Sequence, residues 1–155
     1  MGNKMRKFKL GGLGGTFDHF HRGHRLLLET AFKVADKVAI AITTEELLAS
    51  KKYKEHLESY EIRAQNVLNY IKDTLRVPLE HVSIIPLNDP FGPAITDRDL
   101  EVHISSEETF EQAKMINQLR LENGLQPLVL VCIPLVLNNK QNKISSTEIR
   151  KKLDS

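Results

Sequence analysis

The order of apolar segments constrains the fold of this chain more than any other feature of its sequence. Short runs of apolar, β-branched residues alternate with segments in which apolar residues recur at helical spacing. Runs that are apolar throughout are typical of parallel strands that helices cover on both faces. The sequence therefore predicts a doubly wound α/β sheet of about five parallel strands with helices on both faces. The predicted strands are residues 8–12, 38–42, 82–87, 100–104 and 128–133, and the predicted helices lie around 27–35, 64–75 and 110–119, with a last one near 144–150.

Length and composition limit the class of protein. The 155 residues predict a single domain, 1–155, that is large enough to bury a core. A content of 41% apolar and 27% charged residues is that of a globular protein. The net charge of +2 does not favour nucleic acid or a membrane surface as a partner. The basic N-terminal stretch lacks the apolar core of a secretion signal, and the apolar run 128–137 is too short to span a membrane. We therefore expect a cytoplasmic protein.

The single cysteine, Cys132, lies within an apolar run. One cysteine allows no intramolecular disulfide and no cysteine-based metal site. Because cysteine is among the residues most often buried, we expect Cys132 to be a buried structural thiol.

Two polar segments follow predicted strands. Residues 45–59 carry Lys51 and Lys52, and residues 88–99 are rich in proline, glycine and aspartate. Both segments are expected beyond the carboxyl ends of their strands, which is where open α/β sheets bind ligands.

A glycine-rich turn leads into the first predicted helix with the sequence GGTFDHFHRGH, residues 14–24. Glycines allow backbone N–H groups to approach an anion, and a helix N-terminus adds a partial positive charge. Thr16, His21 and His24 add side-chain donors, and Gly23 leaves room for an approaching phosphate. The pattern indicates a phosphate-binding site.

Other interpretations of the turn stay open. No GK[ST] follows the glycines, and Phe17 stands where a dinucleotide-binding fingerprint requires glycine. The glycines alone could form no more than a tight connection between a strand and a helix. His19, His21 and His24 could also be metal ligands, although no cysteine pair or carboxylate cluster supports this, or they could be histidines without a specific role.

A second hydroxyl-rich helix start, ISSTEIR, occupies residues 144–150. The spacing Ser145-x-x-Glu148 is that of a capping box, which any helix could use, and Ser105-x-x-Glu108 has the same spacing. Two helix N-termini directed at one crevice would form a cradle for a triphosphate. Arg150 would then be a charged partner for a phosphate, or else a solvated residue of the last helix.

The pairing of HRGH with ISSTEIR resembles the nucleotidyltransferase superfamily, which carries an HxGH signature and an ISSTxxR partner motif. Within it, the chain resembles the phosphopantetheine adenylyltransferases of the archaeal and eukaryotic type. The DPFGPA loop and the SEET–INxxR helix carry this closer resemblance, because nucleotidyltransferases in general do not share them. The similar stretches are residues 14–28, 84–101, 105–125 and 143–150.

This resemblance implies a Rossmann-like fold and the transfer of AMP from ATP to 4′-phosphopantetheine, with Mg²⁺ bound to ATP. It implies that His24 and Thr16 stabilise the transition state and that Lys51, or else Lys52, holds the acceptor phosphate. It implies no metal ligand in the protein. The residues implied to bind ATP are Gly15, Thr16, Phe17, His21, Gly23, His24, Ser145, Ser146, Thr147 and Arg150.

The chain also departs from the bacterial members of the family, which have an arginine pair in the segment where this chain has Glu101-Val102-His103-Ile104. Two alternative functions stay open. One is another nucleotidyltransferase, either a cytidylyltransferase or an FAD synthetase. Cytidylyltransferases usually have an RTEGIS-type stretch where this chain has NKISSTEIR. The other is a nucleotide-binding regulator without catalytic activity.

Overall fold

A single parallel sheet organises the computed structural model of the protein, which describes residues 7–47 and 57–134. Its five strands lie in the order β3-β2-β1-β4-β5. The elements are β1 (Phe8–Gly15), α1 (Arg22–Val34), β2 (Ala35–Thr43), α2 (Tyr60–Tyr70, continued by a π-helical turn Ile71–Leu75), β3 (Val82–Leu87), β4 (Val102–Ser106), α3 (Phe110–Glu122) and β5 (Val129–Ile133).

Helices cover both faces of the sheet. On one face, Leu28 and Ala31 of α1 and Val67 of α2 pack against strand residues such as Leu13 and Ile40. On the other face, a smaller cluster joins α3 to the segment between β3 and β4. Its buried members are Ala94, Leu100, Ile116 and Leu128. The doubly wound α/β fold predicted from the sequence is confirmed.

The observed bounds of two strands differ from the predicted ones, because the prediction followed apolar side chains whereas a strand is defined by its backbone pairing. β1 continues to Gly15 because its glycines pair in register with β2, up to Gly15 opposite Ile42. Leu100 precedes β4 instead of beginning it, and its side chain is buried in the smaller cluster. The expected capping box at Ser105 is wrong, because Ser105 lies within β4 opposite Cys132 and α3 begins only at Phe110.

The prediction for Cys132 is also wrong, since its side chain is exposed. The physical reason is its position on β5, which within the described ranges is an edge strand paired with β4 alone. Across the described residues, the structure contains no helix that is both long and apolar enough to cross a lipid bilayer.

Candidate active site

The loop between β1 and α1 lies where the chain changes direction across the sheet. β2 and β3 lie on one side of β1, and β4 and β5 lie on the other. The crevice at the carboxyl ends of β1 and β4 is therefore a topological switch point, the usual ligand-binding position in doubly wound sheets. The histidine-containing segment 14–24 is located there, with His21 as the N-cap of α1.

His21 and His24 form a reciprocal cap at the start of α1. His21 Nδ1 accepts a hydrogen bond from the Gly23 N–H at 3.1 Å, and His24 Nδ1 accepts one from the His21 N–H at 3.2 Å. The two rings stack with their centroids 3.9 Å apart. A Cβ atom on Gly23 would lie 2.9 Å from His21 Cε1. Glycine is therefore needed at position 23 by the packing of His21 alone, independently of any ligand.

This arrangement makes both histidines neutral donors. Because each Nδ1 accepts a hydrogen bond, the network assigns the proton of each neutral ring to Nε2. Burial, and secondly the repulsion that a protonated His21 would exert, lowers the pKa of His24 to about 3. Burial also lowers the pKa of His21, against an opposing effect of Glu108. His21 Nε2 is buried and has no hydrogen-bond partner among the described residues. Two N–H donors at a helix N-terminus suit an anionic ligand.

The protein itself fixes the shape of the loop. Phe17 and His19 have positive φ angles of 55° and 48°, which non-glycine residues adopt only where the surrounding structure holds them. The buried Phe17 ring lies 5.2 Å from the His24 ring. The His19 N–H donates to Glu58 Oε1 at 2.8 Å, and the Glu58 N–H donates to Asp18 Oδ1 at 2.9 Å. The segment that leads into α2 thereby holds the loop.

Arg63, on α2, ties this loop to the end of β2. Its fully buried guanidinium donates to the carbonyl oxygens of Thr16 at 3.0 Å, Thr43 at 2.7 Å and Glu58 at 2.9 Å. Few side chains other than arginine can reach three carbonyl oxygens in different directions. Arg63 therefore sets the backbone position of Thr16, although it does not line the cavity described next.

A cavity of about 470 Å³ lies beside the loop, on the α3 face of the sheet. Small residues line it along β1 and β2, namely Gly12, Gly14, Ala39 and Ala41. A Cβ atom on Gly14 would come no closer than 3.5 Å to any neighbour, so packing alone does not require glycine there. Thr16 belongs to the lining, whereas His21 and His24 do not. The cavity and the histidine pair are therefore two regions linked through Thr16.

The segment between β3 and β4 lines the same cavity through Pro90, Phe91 and other residues, as expected for a segment beyond the carboxyl end of a strand. Two side chains of α3 hold this segment. Gln112 Nε2 donates to the Pro90 carbonyl at 2.6 Å, and the buried Arg120 donates to the Ala94 and Asp97 carbonyls at 2.8 and 2.9 Å. This part of the wall is thus fixed by hydrogen bonds to a helix.

The structure brings together part of the predicted site. Gly15 and Thr16 lie at the end of β1, Phe17 is buried behind them, and His21, Gly23 and His24 form the start of α1. The remaining predicted residues lie outside the described residues: Lys51, Lys52, Ser145, Ser146, Thr147 and Arg150.

The histidines do not form the three-histidine metal site that the sequence left open. Among the described residues, the group with ligand atoms close enough for a metal consists of Asp18, His19 and Glu58. These residues already bond to one another through the loop contacts described above, and His19 Nε2 lies 3.5 Å from Asp18 Oδ2. Their geometry is explained by the fixing of the loop.

Sequence reasoning did not identify two residues of this region. His103, on β4, lines the cavity, and Arg120 holds the wall. The signal for His103 was a polar residue within an apolar strand, and the signal for Arg120 was the INxxR motif.

Comparison with known proteins supports a nucleotidyltransferase. A family model described as cytidylyltransferase-like matches residues 13–152. A Saccharomyces cerevisiae protein named phosphopantetheine adenylyltransferase is 38% identical over 154 residues, which are 96% of this chain and 50% of that protein. A Pyrococcus abyssi protein of the same name is 36% identical over 146 residues, or 94% of this chain and 91% of that protein. The chain thus spans about half the length of the yeast relative and most of the archaeal one.

Solved structures support the fold. A protein of unknown function from Archaeoglobus fulgidus aligns with a TM-score of 0.71 and 28% identity, over 88% of this chain and 99% of that one. A bifunctional NMN adenylyltransferase/ADP ribose pyrophosphatase from Francisella tularensis aligns with a TM-score of 0.62 and 18% identity, over 94% of this chain and 42% of that one. The second similarity concerns the fold alone.

Proposed function

The chain belongs to the cytidylyltransferase-like family and, within it, to the phosphopantetheine adenylyltransferases, and from this premise we propose that it transfers AMP from ATP to 4′-phosphopantetheine. The products are dephospho-coenzyme A and pyrophosphate. The reaction is a step of coenzyme A biosynthesis.

The observation that carries the mechanism is the neutral His24 at the start of α1. Its Nδ1 is held by the His21 N–H, which leaves Nε2–H as a donor of fixed direction. A donor prepared for charge that develops in the transition state stabilises that state without reorganisation. We assign Nε2–H of His24 to the α-phosphate of ATP and Nε2–H of His21 to a neighbouring phosphate.

The cavity suits the second substrate. Its lining is largely apolar, with Ile85, Leu87, Phe91 and Ile116 among the contributors. Phosphopantetheine has one charged end and a long uncharged arm. We place the arm in the cavity and the phosphate end near Thr16, where the cavity and the histidine pair are linked.

The chemistry requires no covalent intermediate with the protein. An oxygen of the acceptor phosphate attacks the α-phosphorus of ATP and forms a new P–O bond, while the bond from that phosphorus to the bridging oxygen breaks. Pyrophosphate leaves with the bonding electrons. Because a phosphate oxygen is already nucleophilic, the protein contributes position and charge stabilisation rather than an activated serine or cysteine.

Mg²⁺ enters as part of the MgATP substrate. Among the described residues that line the cavity, Asp97 has the only carboxylate, and its Oδ1 accepts a hydrogen bond from the Asp99 N–H. This donor set fits an ion carried by the triphosphate better than one caged by protein ligands. The ion would neutralise part of the negative charge of the triphosphate.

Further site residues are proposed from the resemblance alone, because they lie outside the described residues. Lys51, with Lys52 as the alternative, would hold the acceptor phosphate. Ser145, Ser146, Thr147 and Arg150 would form the triphosphate cradle. The single domain and the cytoplasmic location expected from the sequence also stay predictions.

An assay of pyrophosphate release, with mass spectrometry of the product, tests the function. Purified protein with MgATP and 4′-phosphopantetheine is expected to yield dephospho-coenzyme A. CTP with glycerol 3-phosphate or phosphocholine, and ATP with FMN, are expected to give no product. Turnover of one of these control pairs, and none of the predicted pair, would identify a different nucleotidyltransferase. ATP binding without turnover of any pair would favour the non-catalytic regulator.

A further inference from the structure

His103 is a half-buried polar residue that the mechanism above does not use. It lies on β4, in register with Gly12 of the neighbouring β1, and it lines the cavity. Its Nδ1 is buried and has no hydrogen-bond partner among the described residues. A buried polar atom without a partner lowers the stability of the fold, so its presence in a cavity wall points to a partner supplied by a ligand.

Other polar side chains of the lining already have protein partners. Gln112 donates to the Pro90 carbonyl, Asp97 accepts from the Asp99 N–H, and the Thr43 hydroxyl accepts from Arg63 at 3.3 Å. The Thr109 hydroxyl lies 3.4 Å from that of Ser106. The Nδ1 of His103 differs from these groups, because no residue of the described part of the chain bonds to it.

The position of His103 along the sheet indicates which part of a ligand it meets. Gly12 lies three residues before Gly15, where β1 ends. At about 3.3 Å per residue, His103 is about 10 Å below the carboxyl edge of the sheet, where the phosphate chemistry is placed. A ligand group at that depth belongs to the uncharged arm of the acceptor.

The charge state of His103 agrees with this position. Burial lowers the pKa of His103 to about 4, so the ring is neutral at pH 7. A neutral imidazole has one donor and one acceptor, which match a hydroxyl or an amide. The arm of phosphopantetheine carries one hydroxyl and two amides.

We propose that His103 is a specificity-determining residue, whose imidazole forms a hydrogen bond with the hydroxyl or an amide of the phosphopantetheine arm. The inference rests on the proposed function, because it concerns the acceptor of that reaction. It assigns His103 no part in the phosphoryl chemistry.

Three substitutions test this role. His103→Leu removes the hydrogen-bonding groups at similar volume, His103→Asn places an amide near the position of Nδ1, and His103→Gln places one near Nε2. Steady-state kinetics would be measured with 4′-phosphopantetheine and with neopentyl phosphate, which keeps the phosphate and the dimethyl-substituted carbon but lacks the hydroxyl and the amides. Thermal melting of each variant would be recorded in parallel.

His103→Leu is expected to raise KM for phosphopantetheine by about 5- to 30-fold, with KM for ATP unchanged, because one buried hydrogen bond to the acceptor is lost. Its kcat/KM with neopentyl phosphate should equal that of the wild type. Its melting temperature should be equal or higher, because the variant no longer buries an unpartnered nitrogen. At least one of the amide variants should restore KM for phosphopantetheine.

Several outcomes would overturn the inference alone. These are an unchanged KM for phosphopantetheine in His103→Leu, an equal loss with both acceptors, or a loss in all three variants with a lowered melting temperature. The last result would indicate a structural role. If the wild type itself neither binds nor adenylylates phosphopantetheine, the proposed function fails and this inference fails with it.

Discussion

The imidazole of His24 is prepared for catalysis by its neighbours rather than by its own charge. Phe17 and Phe20 lie against it, with ring centroids at 5.2 and 5.5 Å, and His21 stacks on it. These contacts exclude water and keep the ring neutral near pH 7, since its pKa is lowered to about 3. A neutral donor can strengthen its bond to a phosphate as charge develops, without a proton being transferred.

Replacement of His24 by alanine should therefore affect turnover more than binding. We expect kcat to fall by roughly 10²–10³-fold, with a much smaller change in ATP affinity, because the contact strengthens in the transition state. Kinetics and calorimetric titration with ATP provide the two measurements. His81→Ala is a matched control, because the half-buried His81 precedes β3, at the amino end of the sheet and away from the histidine loop, and its replacement should leave both values unchanged. Near-normal kcat in His24→Ala would disprove the role of His24.

At the scale of elements, the start of α1 combines a helix cap with a ligand site in the same two residues. The ring of His21 both caps the backbone through Nδ1 and presents Nε2. From the sequence, His21 and His24 are two phosphate donors side by side. The reciprocal cap seen in the structure shows in addition that His21 orients His24. A substitution at residue 21 therefore affects both histidines.

Two substitutions of His21 can separate these roles. Asparagine is a favourable N-cap but lacks a donor at the position of Nε2, whereas alanine provides neither. His21→Asn should keep the stability of the wild type and weaken ATP binding by about 5- to 10-fold. His21→Ala should weaken ATP binding and also lose about 1 kcal/mol of stability. Denaturant unfolding and ATP calorimetry of both variants give the comparison. Unchanged ATP affinity in His21→Asn would show that Nε2 does not contact the nucleotide.

Arg63 of α2 holds the catalytic loop through its hydrogen bonds, so its replacement should lower both stability and activity. Arg63→Leu would leave the Thr16, Thr43 and Glu58 carbonyls without their buried donor, so we expect the free energy of unfolding to fall by at least about 2 kcal/mol. Urea unfolding measures this loss. kcat should fall as well, because Phe17 and His19 have strained backbones that the surroundings must hold. Arg76→Leu is the control, since it makes the same arginine-to-leucine change in the connection after α2, and it should retain kcat. If Arg63→Leu were as stable as the wild type, these bonds would not hold the loop.

The elements themselves were predictable, and their tertiary partners were not. The run at residues 82–87, in which Ser83 is the one polar residue, forms β3 with the predicted bounds. β1 was predicted too short because residues 11–15 have four glycines, which give no apolar signal although they pair with β2. The burial of Arg63 has no local signal, because two of its three carbonyl partners, Thr16 and Thr43, lie 20 or more residues away in the chain. The motif GGTFDHFHRGH located the site without revealing the hydrogen bonds that shape it.

At the scale of the whole molecule, the site draws on both faces of the sheet. The histidine pair begins α1, which packs on one face, and the cavity lies on the α3 face. β1 connects the two regions, since its glycines line the cavity and its end leads into the histidine loop. Two ligands bound on opposite sides of this switch point would meet beyond the end of β1. This arrangement is suited to a transfer reaction between two substrates.

The burial of neutral histidines across this site should make the stability of the whole fold depend on pH. The pKa values of His24 and His103 are lowered to about 3 and about 4, from about 6.5 in an unfolded chain. Below pH 6.5 the unfolded chain therefore binds more protons than the native protein, and stability decreases as the pH falls. Each histidine contributes at most about 1.4 kcal/mol per pH unit, and the effect ends below the native pKa. Above pH 7 both groups are largely deprotonated in the unfolded chain as well, so they contribute little pH dependence.

Urea unfolding between pH 8 and pH 5 measures this dependence, in a range where most carboxylates stay ionised. As far as these groups are concerned, the wild type should lose little stability between pH 8 and pH 7 and should lose it more steeply towards pH 5. His103→Leu lacks one of the two buried histidines, so its stability should fall less steeply. Its advantage over the wild type should therefore grow as the pH is lowered, whatever the difference at pH 8. Parallel curves for the two proteins from pH 7 to pH 5 would show that His103 takes up protons equally in both states, and hence that the folded protein does not hold it as a buried neutral ring.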